Sequence, residues 1–342
     1  MKIIGCDFHP SFQQIAMVDT ETGEHTERRL DREEAAAFYR GLTGQVMVGI
    51  EACGNTLWLE RLLAELGHEL RMGDATKIRA LEVRKQKTDR RDAELLLKLL
   101  LEGRFPQVWV PSQQQRDLRQ LLLHRHKLIN VRRQMKNQLQ HLALNQGVQQ
   151  KWKLWTEKGR KVLEQLPLTG WTARRRADDL ALLDELNRSI AELDQAAEQE
   201  AVSDPIARLL QTHPGVGPIT SLAFVLTLGR IDRFAHSKQV VSYLGLNPSE
   251  HSSGGRQRMG SISKQGNPML RSLLVEAGQS AARLVPELKR AYQRLKQKKH
   301  SGVAKVMVAR KLAVRLYWIW RTQQPYAATR MQGSPSHPVG AR

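Results

Sequence analysis

Cysteine is almost missing from this sequence: 342 residues contain two, Cys6 and Cys53, each close to an acidic residue of interest. A bridge between such distant cysteines would suit a secreted protein, yet nothing else points to secretion. A chain of this length has room for two or three domains with cores of their own and needs no disulfide staples. Long apolar runs are missing too. None approaches the roughly 18–20 residues that a membrane span requires, and the first residues read as a strand rather than a signal peptide. A reduced, cytoplasmic setting with no membrane partner is expected. Acids are in short supply, 34 against 54 lysines and arginines, for a formal net charge of +20. So large an excess attracts phosphate backbones. It favours a nucleic-acid partner over a merely solvated basic surface or a ribosome-associated protein.

Four of the scarce acids fall at telling places. Asp7 closes the apolar run Lys2-Ile3-Ile4-Gly5-Cys6, and Glu51 closes a second, Val46-Met47-Val48-Gly49-Ile50. Asp89 and Asp92 stand three apart where a basic segment turns into the helical pattern from Ala93 to Leu100. Residues three apart share one helical face, and strand ends deliver side chains to one edge of a sheet. A lone Asp after a strand is usually a turn or capping residue; four placed together are harder to dismiss. Packed without a cation they would repel and raise one another's pKa. Mg²⁺ takes hard oxygen ligands, commonly a few carboxylates plus a substrate phosphate, and a pair of such ions can serve both the attacking and the leaving oxygen. The set reads as a Mg²⁺ site that cuts or joins nucleic acid.

Residues 1–111 alternate between strand and helix periodicity. An antiparallel meander (1–8, 13–19, 25–30) is followed by a helix at 32–42, a strand at 46–50 and a helix at 55–66. A strand at 68–72 and the helix carrying Asp89 and Asp92 complete the pattern. That order is the order of the ribonuclease-H-like fold, so the expected class is α/β plus α. In that fold the catalytic acids occupy the first strand, the fourth strand and a late helix, the elements on which these four fall.

Residues 112–201 read as a helical connector. One long helix spans about 112–146, with Leu121, Leu128, Met135 and Leu142 at heptad spacing. A second spans about 173–201, and the two form an antiparallel hairpin or cross-pair between subunits. Arg125, Arg132, Arg133 and Lys136 lie at expected outer positions of the first helix, as a phosphate track or a solvated face. Trp152 and Trp155, between the helices, read as packing residues.

Residues 202–327 form a mostly helical C-terminal domain. Pro214-Gly215-Val216-Gly217-Pro218 between helices has the helix-hairpin-helix form, in which Gly215 and Gly217 would let backbone N–H groups approach phosphate. The irregular loop 245–267 is rich in Ser, Gly and basic residues. It is either a flexible basic loop or a serine nucleophile held beside Arg256 or Arg258, with Lys264 near by. Residues 328–342 have no core pattern and read as a disordered tail.

The motifs Gly5-Cys6-Asp7, Gly49-Ile50-Glu51-Ala52, Lys87-Thr88-Asp89-Arg90-Arg91-Asp92-Ala93, Pro214-Gly215-Val216-Gly217 and Leu244-Gly245-Leu246-Asn247-Pro248 follow one another in order. Ser253-Gly254 and Ser263-Lys264-Gln265-Gly266-Asn267 close the series. Together they resemble the DEDD insertion-sequence recombinases of family 110/1111, related to the Piv DNA invertase, from residue 1 to about 325. The resemblance implies a RuvC-like nuclease domain, a coiled-coil connector and a C-terminal transposase domain. It implies that Asp7, Glu51, Asp89 and Asp92 hold Mg²⁺ and that Ser253, which precedes Gly254, is the nucleophile, with Ser252 adjacent. A covalent phosphoserine link, strand exchange through a Holliday-junction-like intermediate, a homo-dimer or tetramer and a guiding bridge RNA are implied in the same way, on donor and target DNA of the nucleoid. Cys6 and Cys53 depart from the residues common at their positions without disturbing the acids. Two rivals remain: a junction nuclease of the same fold using water, and a non-catalytic nucleic-acid-binding scaffold whose acids balance the basic segment 84–91.

Overall fold

The structure is a computed structural model that describes residues 1–81, 88–149, 153–250 and 258–327. Its contacts divide the chain into a unit of residues 1–111 and a second beginning at Ser112.

In the first unit, β1 (Lys2–Phe8), β2 (Phe12–Asp19) and β3 (His25–Asp31) form the expected antiparallel meander. β4 (Val46–Glu51) pairs parallel with β1, and β5 (Glu69–Gly73) parallel with β4, giving the order β3-β2-β1-β4-β5. Alternation along each strand assigns its faces. Ile4, Cys6, Phe8, Val48 and Ile50 pack with Tyr39 of α1 (Arg32–Gly41) and with Leu59, Leu62 and Leu63 of α2 (Leu57–Glu65). Ile3 and Met47 face the other way, onto Ala93, Leu97 and Leu100 of α4 (Asp89–Leu101). A short α3 (Ala75–Ala80), capped by the Asp74 carboxylate, precedes it. The mixed sheet with helices on both faces is consistent with a ribonuclease-H-like domain.

The second unit begins with α5 (Gln113–Asn145), opened by a capping box between Ser112 and Gln115. After α6 (Glu157–Glu164), α7 (Gly170–Ser203) returns antiparallel to α5. The direction is fixed by cross-helix bonds of Arg132 to Asn187 (3.3 Å) and Arg175 to Gln138 (3.1 Å). The hairpin thus closes within one chain. It is not set apart from the C-terminal helices: Leu122 of α5 and Ala197 and Ala201 of α7 share one core with α8 (Pro205–Gln211), α9 (Pro218–Leu228) and α10 (Ser237–Tyr243). α9 is buried from Thr220 to Leu228. α11 (Pro268–Leu284), α12 (Pro286–Lys298) and α13 (Ser301–Thr322) complete the unit.

The described residues of the loop expected over 245–267 include regular structure. They carry a two-stranded hairpin of β6 (Pro248–Glu250) and β7 (Met259–Ile262). The expected tail 328–342 and Trp152 lie outside the described residues. Among the described residues, no helix is long and apolar enough to cross a membrane.

Candidate active site

Because β1 and β4 are parallel, their C-terminal ends reach the same sheet edge, and Asp7 and Glu51 are delivered there together. Both face the side covered by α4, which runs antiparallel to β1 and so brings its first turn, with Asp89 and Asp92, to that edge. The fit is close because β1 and β4 each carry a glycine two residues before the acid. A Cβ on Gly5 would lie 2.3 Å from the Ala93 carbonyl oxygen and 2.3 Å from the Leu97 nitrogen. Thr88 caps α4, its hydroxyl accepting from the Arg91 N–H, and two carboxylates in the first turn suit the positive end of the helix dipole.

Asp7, Glu51 and Asp92 line one cavity of about 300 Å³, together with Ile78, Arg79, Leu95 and Leu96. Asp89 joins from the rim: a carboxylate oxygen of Asp7, one of Asp89 and a ring nitrogen of His9 all lie within 4.8 Å of one another. The four acids predicted from the sequence are therefore brought together. Arg90, in their midst, is turned to Glu27 and Glu94 instead.

Half-burial pushes the Asp7 carboxyl above its ordinary pKa; His9 opposes the shift, and the nearby Asp92 and Asp89 add to it. A divalent cation would relieve both the desolvation and the repulsion, and the oxygen-rich donor set fits such an ion. Asp7 and Asp89 could hold it, with Glu51 and Asp92 facing the same space and His9 bonded to Asp7.

Two residues of the site were not singled out in the sequence. The His9 Nε2 lies 3.2 Å from Asp7 Oδ2, and its ring stacks on Phe12 at 4.5 Å between centroids, with the Arg29 guanidinium 3.9 Å from the Phe12 centroid. Its place two residues beyond Asp7, on the same strand-end face, was the available signal. Arg79 reaches Glu51 at 3.5 Å from α3 and is largely exposed; nothing local in the sequence announces that pairing.

In the second unit the predicted residues separate. Arg125 is not on the outside of α5: it is largely buried and ion-paired with Asp194 of α7. Arg132 bonds Asn187, and Lys136 lies 5.0 Å from the Trp155 ring, its ammonium pushed down by burial and by Arg132. Arg133 is exposed. Gly215 has φ +90° and a Cβ there would strike the Ala281 nitrogen of α11 at 2.4 Å, so its bare face is used for packing; Gly217 faces open space. Arg258 and Lys264 are exposed beside the hairpin. Ser253, Ser252 and Arg256 lie outside the described residues.

Two family models match the chain. One, described as Transposase and specific to the DEDD type of IS110, covers residues 4–146. The other, described as Transposase IS116/IS110/IS902 family, covers residues 207–293. The chain belongs to the DEDD transposases of the IS110 family. The transposase is 29% identical over 332 residues to a probable family 20 transposase of Pseudomonas aeruginosa, covering 92% of this chain and 95% of that one. It is 28% identical to the transposase for insertion sequence element IS1111A of Coxiella burnetii, over 83% of this chain and 79% of the relative. With the transposase for IS1328 of Yersinia enterocolitica it shares 26% identity, over 81% and 84%. As a transposase, the chain is an enzyme of DNA cutting and rejoining. All four acids fall inside the first match, and the stem of the β6–β7 hairpin inside the second.

Proposed function

We propose that the protein is an RNA-guided recombinase that excises and inserts its own insertion sequence. It would use a Mg²⁺ site of Asp7, Glu51, Asp89 and Asp92 and a serine nucleophile, Ser253. The observation that carries the reading is the convergence of the four carboxylates at one sheet edge, three of them lining one cavity and Asp89 standing beside Asp7. Bound there, Mg²⁺ would supply Lewis-acid stabilisation of charge on a scissile phosphate. Asp7, Glu51, Asp89 and Asp92 would hold the ion, and His9 holds the Asp7 carboxylate through its ring N–H.

In this proposal the Ser253 hydroxyl attacks phosphorus, displacing a DNA hydroxyl and leaving a phosphoserine link; a DNA hydroxyl later reverses the step on the exchanged strand. Arg256 and Arg258 neutralise the charge that develops. Strand exchange then passes through a Holliday-junction-like intermediate. Acids and serine would come from different subunits of a homo-oligomer, and a bridge RNA would pair with donor and target DNA. These last points rest on the family resemblance. Gly217, Arg133 and Lys264, exposed and basic or bare, are proposed contacts to the nucleic-acid backbone.

The test is a denaturation-resistant protein–DNA adduct formed with Mg²⁺. Ser253→Ala should abolish it while DNA binding persists. Adducts that survive in Ser253→Ala but vanish in Ser252→Ala would move the role by one residue. Mg²⁺-dependent cleavage without any adduct would favour attack by water. RNA recovered with the purified protein should map to a structured non-coding stretch beside the reading frame, within the element's ends.

A further inference from the structure

A second cavity, of about 400 Å³, lies between α11, α12 and α13. Its described lining carries four cations, Arg283, Lys289, Lys296 and Lys305, and no carboxylate. Lys289, Tyr292 and Lys296 stand at i, i+3 and i+7 on α12 and so share a face. The floor is apolar: Gly278 lets α11 approach α13, where a Cβ would lie 3.2 Å from the Ala309 nitrogen, and Ala282 and Val308 are buried beneath. Tyr292 is half-buried and packs against the cluster of Ala281, Val285 and Leu288.

Four like charges around one hollow repel each other until an anion enters. The size is that of a small-ligand site. An aromatic wall over an apolar floor suits a flat ring, and the cations suit the phosphates on either side of it. In a duplex the bases are stacked inside the helix, so a duplex can offer this hollow phosphate but no base face. We propose that this cavity takes one unpaired nucleotide of a single strand. Its base lies against Tyr292, and its flanking phosphates are held by Arg283, Lys289, Lys296 and Lys305. Recognition is sequence-tolerant, because every base has a π face. The inference is independent of the acidic site in the first unit.

The experiment uses the full chain and fluorescence anisotropy. The probes are labelled oligomers of about 12 nucleotides: single-stranded DNA, RNA of the same sequence, and the duplex DNA. Lys289→Gln combined with Lys296→Gln should weaken single-strand binding about tenfold. It should lower the log–log salt slope by about 1.4, two contacts at about 0.7 each. Tyr292→Ala should weaken single strands about tenfold and leave the duplex unchanged, whereas Tyr292→Phe should bind as the parent does. Tighter binding of RNA or of DNA identifies the source of the strand. Equal losses for duplex and single strand, or no effect of Tyr292→Ala, would overturn the proposal and leave only a diffuse basic surface. Should Tyr292→Ala fail to fold, photocross-linking of a 5-iodouracil-containing strand to the parent protein decides: adducts must map to the Tyr292 peptide, and adducts elsewhere refute it. All arms are run without added divalent cation, so failure of the metal-site reading would not be mistaken for failure here.

Discussion

Gly5 of β1 and Gly49 of β4 lie opposite each other in the parallel pairing, and both turn their missing side chain toward α4. Two residues further along each strand, on the same face, stand Asp7 and Glu51. The approach of α4 to the sheet and the spacing of the carboxylates are thus set by one pair of bare positions.

The two glycines should not be equally demanding. A Cβ on Gly5 meets helix backbone at 2.3 Å, which cannot yield without moving α4. One on Gly49 meets the end of Leu100, Cδ1 at 2.6 Å, which can rotate. Gly5→Ala should cost roughly 3 kcal/mol and Gly49→Ala roughly 1 kcal/mol in denaturant unfolding. Cleavage should be lost in the first and retained in part in the second. Equal effects would show that α4 is not seated as described.

His9 supplies the hydrogen bond that orients Asp7. His9→Ala should weaken Mn²⁺ or Mg²⁺ binding about tenfold, the usual scale for losing a group that orients a metal ligand. Isothermal titration of the ion into the protein measures it directly. Unchanged affinity would reduce His9 to a packing residue on Phe12.

The Arg125–Asp194 pair locks α5 to α7, while Arg133 points to solvent. Arg125→Ala should therefore lower stability by about 1–2 kcal/mol with little change in the salt slope of nucleic-acid binding. Arg133→Ala should do the reverse, leaving the melting temperature alone and reducing the slope by about 1. The contrast separates a strut from a phosphate contact.

His213 gives a pH-dependent term. It is buried in the turn before α9, where its Nδ1–H donates to the Pro214 carbonyl (2.9 Å) and its Nε2 accepts from Arg315 (3.5 Å). Burial first, and Arg315 as well, lower its pKa from 6.5 to about 4. Above pH 6.5 both folded and unfolded chains carry a neutral ring and its contribution is complete. As pH falls toward 4 only the unfolded chain takes up the proton, so stability declines, by about 3 kcal/mol in all. Urea unfolding across that window should show a steeper decline for the parent than for His213→Gln.

Gly245 and Gly266 clasp the two ends of the loop that bears Ser253. A Cβ on the first would stand 2.0 Å from the Gln265 carbonyl, and on the second 2.1 Å from that of Tyr243. Both have positive φ. Alanine at either should abolish protein–DNA adducts while Mg²⁺ binding, measured by titration, is kept.

The first unit could be read closely from the sequence because each strand alternates and each helix has a local stop. The meander, β4 and α2 fall within a residue or two of the expected bounds, and the acids stand on the expected elements; α4 begins at Asp89, four residues ahead of the helical pattern expected from Ala93. Where partners are distant, reading failed. Arg125 looked like an outer position because the heptad count on α5 cannot reveal Asp194, 69 residues away. Gly215 looked like a phosphate contact because nothing nearby shows that α11 returns to cover it. β6 and β7 were missed because strands of three and four residues are too short to carry an alternating signal.

α9 has no polar side left for water, and that limits how the protein can be subdivided. Its Phe224 rests 6.3 Å from the Trp320 ring of α13, and Ala197 and Ala201 of α7 close another flank. Both of those helices fall beyond the matched stretch 207–293. A fragment trimmed to that match would leave its most greasy segment uncovered and should precipitate, so any working truncation must keep the residues from Ser112 through Tyr326 together.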